Sequence, residues 1–201
     1  MVRIPGNKNS KFCALKLVAL SLYVLLMAGL PVTAVAEKAD RDKPTHIEAD
    51  NLYHDDLNQV SIFTGRAVLT KGTLVLRGQR IEMREDADGY QFGLILPEPG
   101  KRAFFRQKRE GVNEFIEGEG LRIEYDGKAD RVTLIDQGEV RRYRGAVLAD
   151  QMTGQRIVYE NLTDIFTIDG QRAGGPLSTG RVRATLVPKD KGDDKKNEGR
   201  K

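Results

Sequence analysis

Through most of the chain, apolar and polar positions alternate in short blocks, the two-residue period of a strand with one buried face. In THIEAD, Thr45, Ile47 and Ala49 share one face, and His46, Glu48 and Asp50 the other. TLVLR sets Leu74 and Leu76 together, and RIEM sets Ile81 and Met83 together. YQFGL predicts an inward row of Tyr90, Phe92 and Leu94, and RAFFRQ one of Ala103 and Phe105. LRIEY lines up Leu121, Ile123 and Tyr125 against Arg122 and Glu124. RVTLI, RIVYE and IFTID extend the face through Val132, Leu134, Ile157, Tyr159, Phe166 and Ile168. No stripe of helical period follows residue 44, so the expected class is all-β, antiparallel, with one wet side.

Glycines punctuate the pattern. Thr64-Gly65, Lys71-Gly72, Arg77-Gly78, Asp88-Gly89, Pro99-Gly100, Asp126-Gly127, Gln137-Gly138, Thr153-Gly154 and Asp169-Gly170 are expected turns. Pro97 and Pro99 mark a longer loop. IEADNL at 47–52 resembles IEGEGL at 116–121, an offset of 116 − 47 = 69. GRAVLTKGTLVLRGQRIEM (65–83) has a looser parallel in GEVRRYRGAVLADQMTGQRIVY (138–159). The spacing reads as two related halves of one all-β unit, longer than common solenoid repeats.

The first residues follow another rule. Arg3, Lys8, Lys11 and Lys16 precede the apolar run Leu17–Leu30, and Ala34 and Ala36 fit a small-x-small cleavage pattern. The expected organisation is a cleavable export signal at 1–36, cut between Ala36 and Glu37, a β domain at 37–187 and a charged tail at 188–201. The alternative is a retained membrane anchor, for which the run is short. Removing the signal changes the charge balance. The whole chain has 33 bases and 29 acids; without the four signal bases, 33 − 4 = 29 bases remain against 29 acids. That neutrality argues against a nucleic-acid partner.

Candidate chemistry is sparse. The single cysteine, Cys13, leaves with the signal, so neither a disulfide nor a thiol nucleophile is expected. His46, His54, Asp55 and Asp56 lack metal-ligand spacing. Glu117, Glu119 and Glu124 are acids without the aromatic platform of a glycan-cleaving site. No nucleophile elbow or phosphate loop occurs. No catalytic residue, metal or cofactor is therefore expected. The basic runs Lys101–Arg109 and Arg141–Arg144 suit either anion contacts or a solvated strand face, and surrounding acids favour the latter. What remains is a binding surface: an apolar sheet face able to take acyl chains, with edges able to recruit strands.

Here the chain resembles a known family. The leader, KPTHIEADN, VSIFTGRAVLTKGTLVLRGQRIEM, GKRAFFRQ, IEGEGLRIEYD and QMTGQRIVYENLTDIFTIDG together resemble the OstA-like (LptA) family of periplasmic lipopolysaccharide-export bridge proteins. The resemblance covers about residues 43–170; the order and spacing of its motifs carry it. It implies a twisted, incompletely closed antiparallel β-jellyroll, two sheets around a V-shaped groove. It implies lipopolysaccharide as ligand, with lipid A acyl chains inside the groove. It implies an inner-membrane LptC-type partner at the N-terminal edge, an outer-membrane LptD-type partner at the C-terminal edge and head-to-tail copies between. A membrane-anchored LptC-type protein is the alternative within the same machine. Carried onto this chain, the groove-lining positions are Thr45, Ile47, Phe105, Ile123 and Tyr125, with Thr45 departing from the usual aliphatic residue. The apolar face adds Leu74, Leu76, Ile81, Met83, Phe92, Leu121, Leu134, Ile157, Tyr159 and Phe166 to the expected wall. The stretch DADGYQFGLILPEPG stands apart from the family pattern.

Overall fold

The computed structural model describes residues 40–109, 111–170 and 180–188. The expected signal, its cleavage site at Ala36 and Glu37, and the tail beyond Pro188 lie outside the described residues. The described residues form twelve strands and no helix. In chain order these are β1 (Thr45–Glu48), β2 (Asn51–Asp55), β3 (Val60–Lys71), β4 (Leu74–Glu85), β5 (Gln91–Leu96) and β6 (Ala103–Lys108). They continue as β7 (Glu114–Gly120), β8 (Arg122–Asp126), β9 (Arg131–Arg144), β10 (Val147–Glu160), β11 (Ile165–Asp169) and β12 (Arg183–Leu186). Every pairing is antiparallel.

Four strands are far longer than the rest, and this corrects the turn expectations. Lys71-Gly72 does close a hairpin, but Thr64-Gly65, Arg77-Gly78, Gln137-Gly138 and Thr153-Gly154 lie inside β3, β4, β9 and β10. They are kinks. In β3, Gly65 and Arg66 are consecutive left-handed residues (φ 84° and 48°), and the register with β4 shifts between Thr64 and Ala67. In β9, Asp136 and Gln137 repeat the device (φ 59° and 55°), where the register with β10 shifts between Gly154 and Arg156. A bulge bends the strand and increases its twist. The facing glycines are needed for room. A Cβ on Gly78 would lie 2.6 Å from the Leu96 carbonyl oxygen, and one on Gly154 would lie 2.5 Å from Ile168 Cγ2.

The kinks divide each long strand between two layers. One layer runs β1-β3-β4-β6-β7-β9-β10-β12, using the β3 and β9 segments after the kink and the β4 and β10 segments before it. The other runs β2-β3-β4-β5-β8-β9-β10-β11 through the remaining segments. The layers share a crease at the kinks and face each other across the core. Their strand ends, far from the crease, form two lips.

The internal echo is a real structural repeat, but its register differs from the sequence match. β1–β6 and β7–β12 have the same pairing pattern, strand for strand. Ile47 pairs with Leu69 in β3, and Gly118 pairs with Val140 in β9; the offsets are 118 − 47 = 71 and 140 − 69 = 71. IEADNL and IEGEGL, at offset 69, are thus two residues out of step. An even slip keeps every face, which is why the match still reads well.

Candidate functional site

Between the layers lies a continuous apolar interior. Leu74, Leu76, Ile81, Met83, Phe105, Ile123, Tyr125, Leu134, Ile157 and Tyr159 are buried in it, with Ala67, Leu69, Ile95, Ala103, Ile116, Val132 and Val140. Ile47, Phe63, Phe166 and Ile168 pack against that cluster, half-buried. An aromatic row crosses it from layer to layer. Phe105 of β6 lies 6.0 Å from Tyr159 of β10, which stacks on Phe166 of β11 at 4.6 Å.

Two expected wall positions do not join it. Phe92 lies on the opposite face of β5, together with Leu94; the inward residues are Gly93 and Ile95. The physical reason is apolar side chains on both faces of β5, so size misled the choice of face. A Cβ on Gly93 would sit 3.1 Å from Met83 Sδ, so the inward position has no room for a large residue. Leu121 is the other correction. β7 ends at Gly120 and β8 starts at Arg122, so Leu121 sits in the break, 38% exposed, its amide donating to the Asp136 carbonyl. The stretch DADGYQFGLILPEPG holds β5, an interior strand of the second layer.

At the N-terminal edge the interior opens into a cavity of about 250 Å³. Ile47, Phe63 and Met83 give it apolar walls; Thr45, His54, Ser61, Arg84 and Gln91 rim it. His54 Nδ1 lies 2.9 Å from Ser61 Oγ, so that ring is engaged with the rim. Both chain edges leave apolar residues bare: Leu52 and Tyr53 on β2 are 60% and 61% exposed, Ile165 on β11 and Leu186 on β12 51% and 67%.

Polar contacts bridge the lips elsewhere. Asp40, buried, accepts from the Thr73 amide at 2.7 Å, from the Thr73 hydroxyl and from Gln107 Nε2 at 3.0 Å, all in the first layer. Its neighbour Arg41 donates to the Lys128 carbonyl beside β8 in the second layer at 3.4 Å. Thr45 Oγ1 donates to Gln91 Oε1 at 2.7 Å. In the other half, Arg109 after β6 grips Asp164 before β11 with two hydrogen bonds of 3.1 Å. The same guanidinium pairs with Glu114, and the Tyr159 hydroxyl donates to Asp164 at 3.0 Å. The Arg109 hydrogen bonds hold the Asp164 carboxyl below the usual Asp range. Burial, with Asp130 and Asp126 nearby, pushes the Tyr125 phenol up to about 12. Sequence reading missed these bridges: it gave Asp40 no role and placed Arg109 in a basic run.

The outer face of the first layer uses those bases locally. Arg102 pairs with Glu119 and Glu139, Arg106 with Glu117 at 2.8 Å and Arg141 with Glu139 at 3.2 Å. Arg142, paired with Asp150, and Arg144, 3.3 Å from Glu114, lie instead on the inward face, in line with Val140 on β9 and Ile116 on β7. Glu117 and Glu119 are thus held by arginines across neighbouring strands, and Glu124 lies beside Arg122 at 3.4 Å on another strand. No group of residues able to hold a metal ion occurs among the described residues.

Two antiparallel layers, creased along four long strands and lined with apolar side chains, define the class: an incompletely closed β-jellyroll. The crystal structure of LptH from Pseudomonas aeruginosa, described as the LptA-homologous periplasmic component of the lipopolysaccharide transport device, aligns with a TM-score of 0.65 at 26% identity. The alignment covers 75% of this chain and 99% of that one. By sequence, the lipopolysaccharide export system protein LptH of the same organism is 29% identical over 160 residues, 79% of this chain and 87% of the relative. The export protein LptA of Escherichia coli K12 is 28% identical over 175 residues, covering 87% and 86%. Residues 46–167 match the family described as LptA/(LptD N-terminal domain) LPS transport protein. The chain belongs to this family of lipopolysaccharide transport proteins.

Proposed function

We propose that this protein is exported to the periplasm and carries lipopolysaccharide from the inner toward the outer membrane, holding lipid A acyl chains between its layers. The observation that carries the reading is the apolar interior, continuous from one bare edge to the other and open at the N-terminal edge beside Ile47, Phe63 and Met83. An acyl chain moved through water loses about 0.8 kcal/mol for every methylene it exposes. A run of aligned interiors removes that cost and needs no reactive side chain. In this reading the N-terminal edge, β1 and β2, meets an LptC-type inner-membrane protein. The C-terminal edge, β11 and β12, meets an LptD-type outer-membrane protein, and further copies stack head to tail between them. The family description, which joins LptA to the LptD N-terminal domain, supports a shared fold along such a bridge. The energy for directed movement comes from another component.

The test is photo-crosslinking in cells. Probes at Ile47 and Phe105 face the interior; Glu48 and Glu124, exposed, face out. Inward probes are expected to capture lipopolysaccharide and outward probes to give background. Equal capture at both would remove the interior-carrier reading.

A further inference from the structure

The basic run on β9 is split by its strand. Arg141 and Tyr143 face out, while Arg142 and Arg144 face the interior on the lip side of Val140. Charges from both layers surround Arg142: Arg144 beside it, Glu114 of β7, Arg109 after β6, Asp150 of β10 and Asp164 before β11.

The fold does not require these charges, because its own repeat does without them. Arg142 pairs with Asp150 where the first half pairs Lys71 with Leu74; the offsets are 142 − 71 = 71 and 150 − 74 = 76. Leu76 and Met152, opposite Leu69 and Val140, keep the same two offsets. Leu74 is 2% exposed and Asp150 3%, so a core leucine in one half is a buried carboxylate in the other. Apolar residues of similar size are often as stabilising as a buried ion pair, or more so. The departure from the repeat therefore points to a ligand and not to folding.

The donors left over indicate which ligand. A guanidinium offers a planar fork of N–H groups and no acceptor. Arg109 is engaged by Glu114 and Asp164. Arg142 reaches Asp150 through Nη2, and its buried Nε has no partner among the described residues. Arg144 meets Glu114 through Nε at 3.3 Å, and its terminal nitrogens make no hydrogen bond to a described residue. The two side chains are 31% and 26% exposed, so both can be reached from the lips.

We propose that Arg142 and Arg144 form a phosphate subsite, taking a phosphate monoester on an amphiphile whose acyl chains lie against Val140 and Ile116. This rests on the interior-carrier reading above and adds the place of the headgroup. Arginine forks match phosphate oxygens in paired hydrogen bonds. Successive inward residues of a strand are about 6.5–7 Å apart, so tails at Val140 and a phosphate at Arg142 suit one molecule. Burial draws the Arg142 guanidinium below its usual range, a cost that an added anion offsets. Glu114, Asp150 and Asp164 balance Arg109, Arg142 and Arg144, so the cluster has no net charge to attract free anions from solution. It reads a phosphate that the acyl chains have already delivered.

Binding of fluorescent lipid A to the full chain, with its phosphates present and with them removed, tests the subsite. The parent should bind the phosphorylated lipid roughly tenfold tighter. Arg144→Ala leaves Glu114 its pair with Arg109 and should bring the two affinities within about threefold. Arg142→Leu with Asp150→Leu, which strands no charge, should do the same. Arg141→Ala removes an outward arginine of the same strand, whose partners Glu119 and Glu139 keep Arg102, and should retain the preference. Inorganic phosphate at millimolar concentration should leave the phosphorylated lipid bound; displacement would make the free ion the ligand and overturn the headgroup assignment. A preference absent from the parent, or retained when Arg144 is removed, would overturn the subsite, while binding of the phosphate-free lipid would leave the carrier reading standing. If neither lipid binds the parent, the carrier reading itself falls.

Discussion

Removing the Arg109 guanidinium should loosen the protein and quicken lipid uptake together. Arg109 is 20% exposed in its side chain; its partners Asp164 and Glu114 are 37% and 13% exposed. In Arg109→Ala neither carboxylate is stranded, because Glu114 keeps Arg144 at 3.3 Å and Asp164 keeps the Tyr159 hydroxyl at 3.0 Å. The loss is therefore that of charge-assisted hydrogen bonds, not of a buried orphan charge. Such bonds contribute about 1.5–3 kcal/mol when sheltered, while exposed pairs contribute roughly 0.2–1. With Asp164 more than a third exposed, the solvent-screened expectation is about 1–2 kcal/mol, read by urea unfolding. If the lips must part to admit acyl chains, the same 1–2 kcal/mol comes off the opening step. Association of fluorescent lipopolysaccharide should then speed up by roughly 5–30-fold. Asp164→Asn should act in the same direction, and the double variant should fall well short of the sum. Acid supplies a check of sign. The Asp164 carboxyl is held below its ordinary value of 3.8, so its contribution is present above that pH and is lost as pH falls through the folded value. Parent and Arg109→Ala should converge in acid. Stability lost as expected with an unchanged association rate would refute the link between this bridge and lipid access.

Other expectations follow from burial. Phe105→Ala, at a fully buried ring between the layers, should cost about 3–5 kcal/mol in urea unfolding; a loss below about 1 would mean that the site is not the centre of the core. On β5, Ile95→Glu should prevent folding at ordinary temperature, whereas Leu94→Glu should be tolerated, as circular dichroism melts would show; the reverse order would invert the face assignment. Tyr125 and Tyr159 both have phenols raised above the ordinary value of 10, chiefly by burial. A raised phenol favours the folded state below pH 10, an advantage lost as pH rises through the folded value. Alkaline titration should show tyrosinate absorbance from these two rings arriving with unfolding; reversible ionisation in the folded protein at pH 10 would contradict their burial.

The sequence was most legible where one face is uniformly large and apolar. β4, β8 and the end of β10 were placed correctly because Ile81, Met83, Ile123 and Tyr125 alternate with charged neighbours, and because only a smaller valine separates Leu74 from Leu76 and Ile157 from Tyr159. β5 was not, because Phe92, Leu94, Ile95 and Leu96 carry apolar groups on both faces and the deciding inward residue is a glycine. Glycine also blurred turns and kinks. The positive φ that closes the hairpin at Gly72 also bends β3 at Gly65, and only the partner strands distinguish the two. The lip bridges were invisible for another reason. Thr45 and Gln91 lie 46 residues apart, Arg109 and Asp164 55, Arg41 and Lys128 87, and no local period reports such distances.

The crease has a mechanical consequence. Its kinks sit beside one another on paired strands, Gly65-Arg66 against Gly78 and Asp136-Gln137 against Gly154, and the two halves are joined by unbroken strand pairing. The layers therefore turn about one spine, like the covers of a book. How wide the pages stand apart is a single coordinate for the whole molecule. Cargo that parted the layers at one end would part them at the other, and a stack bound cover to cover would transmit that opening from one volume to the next.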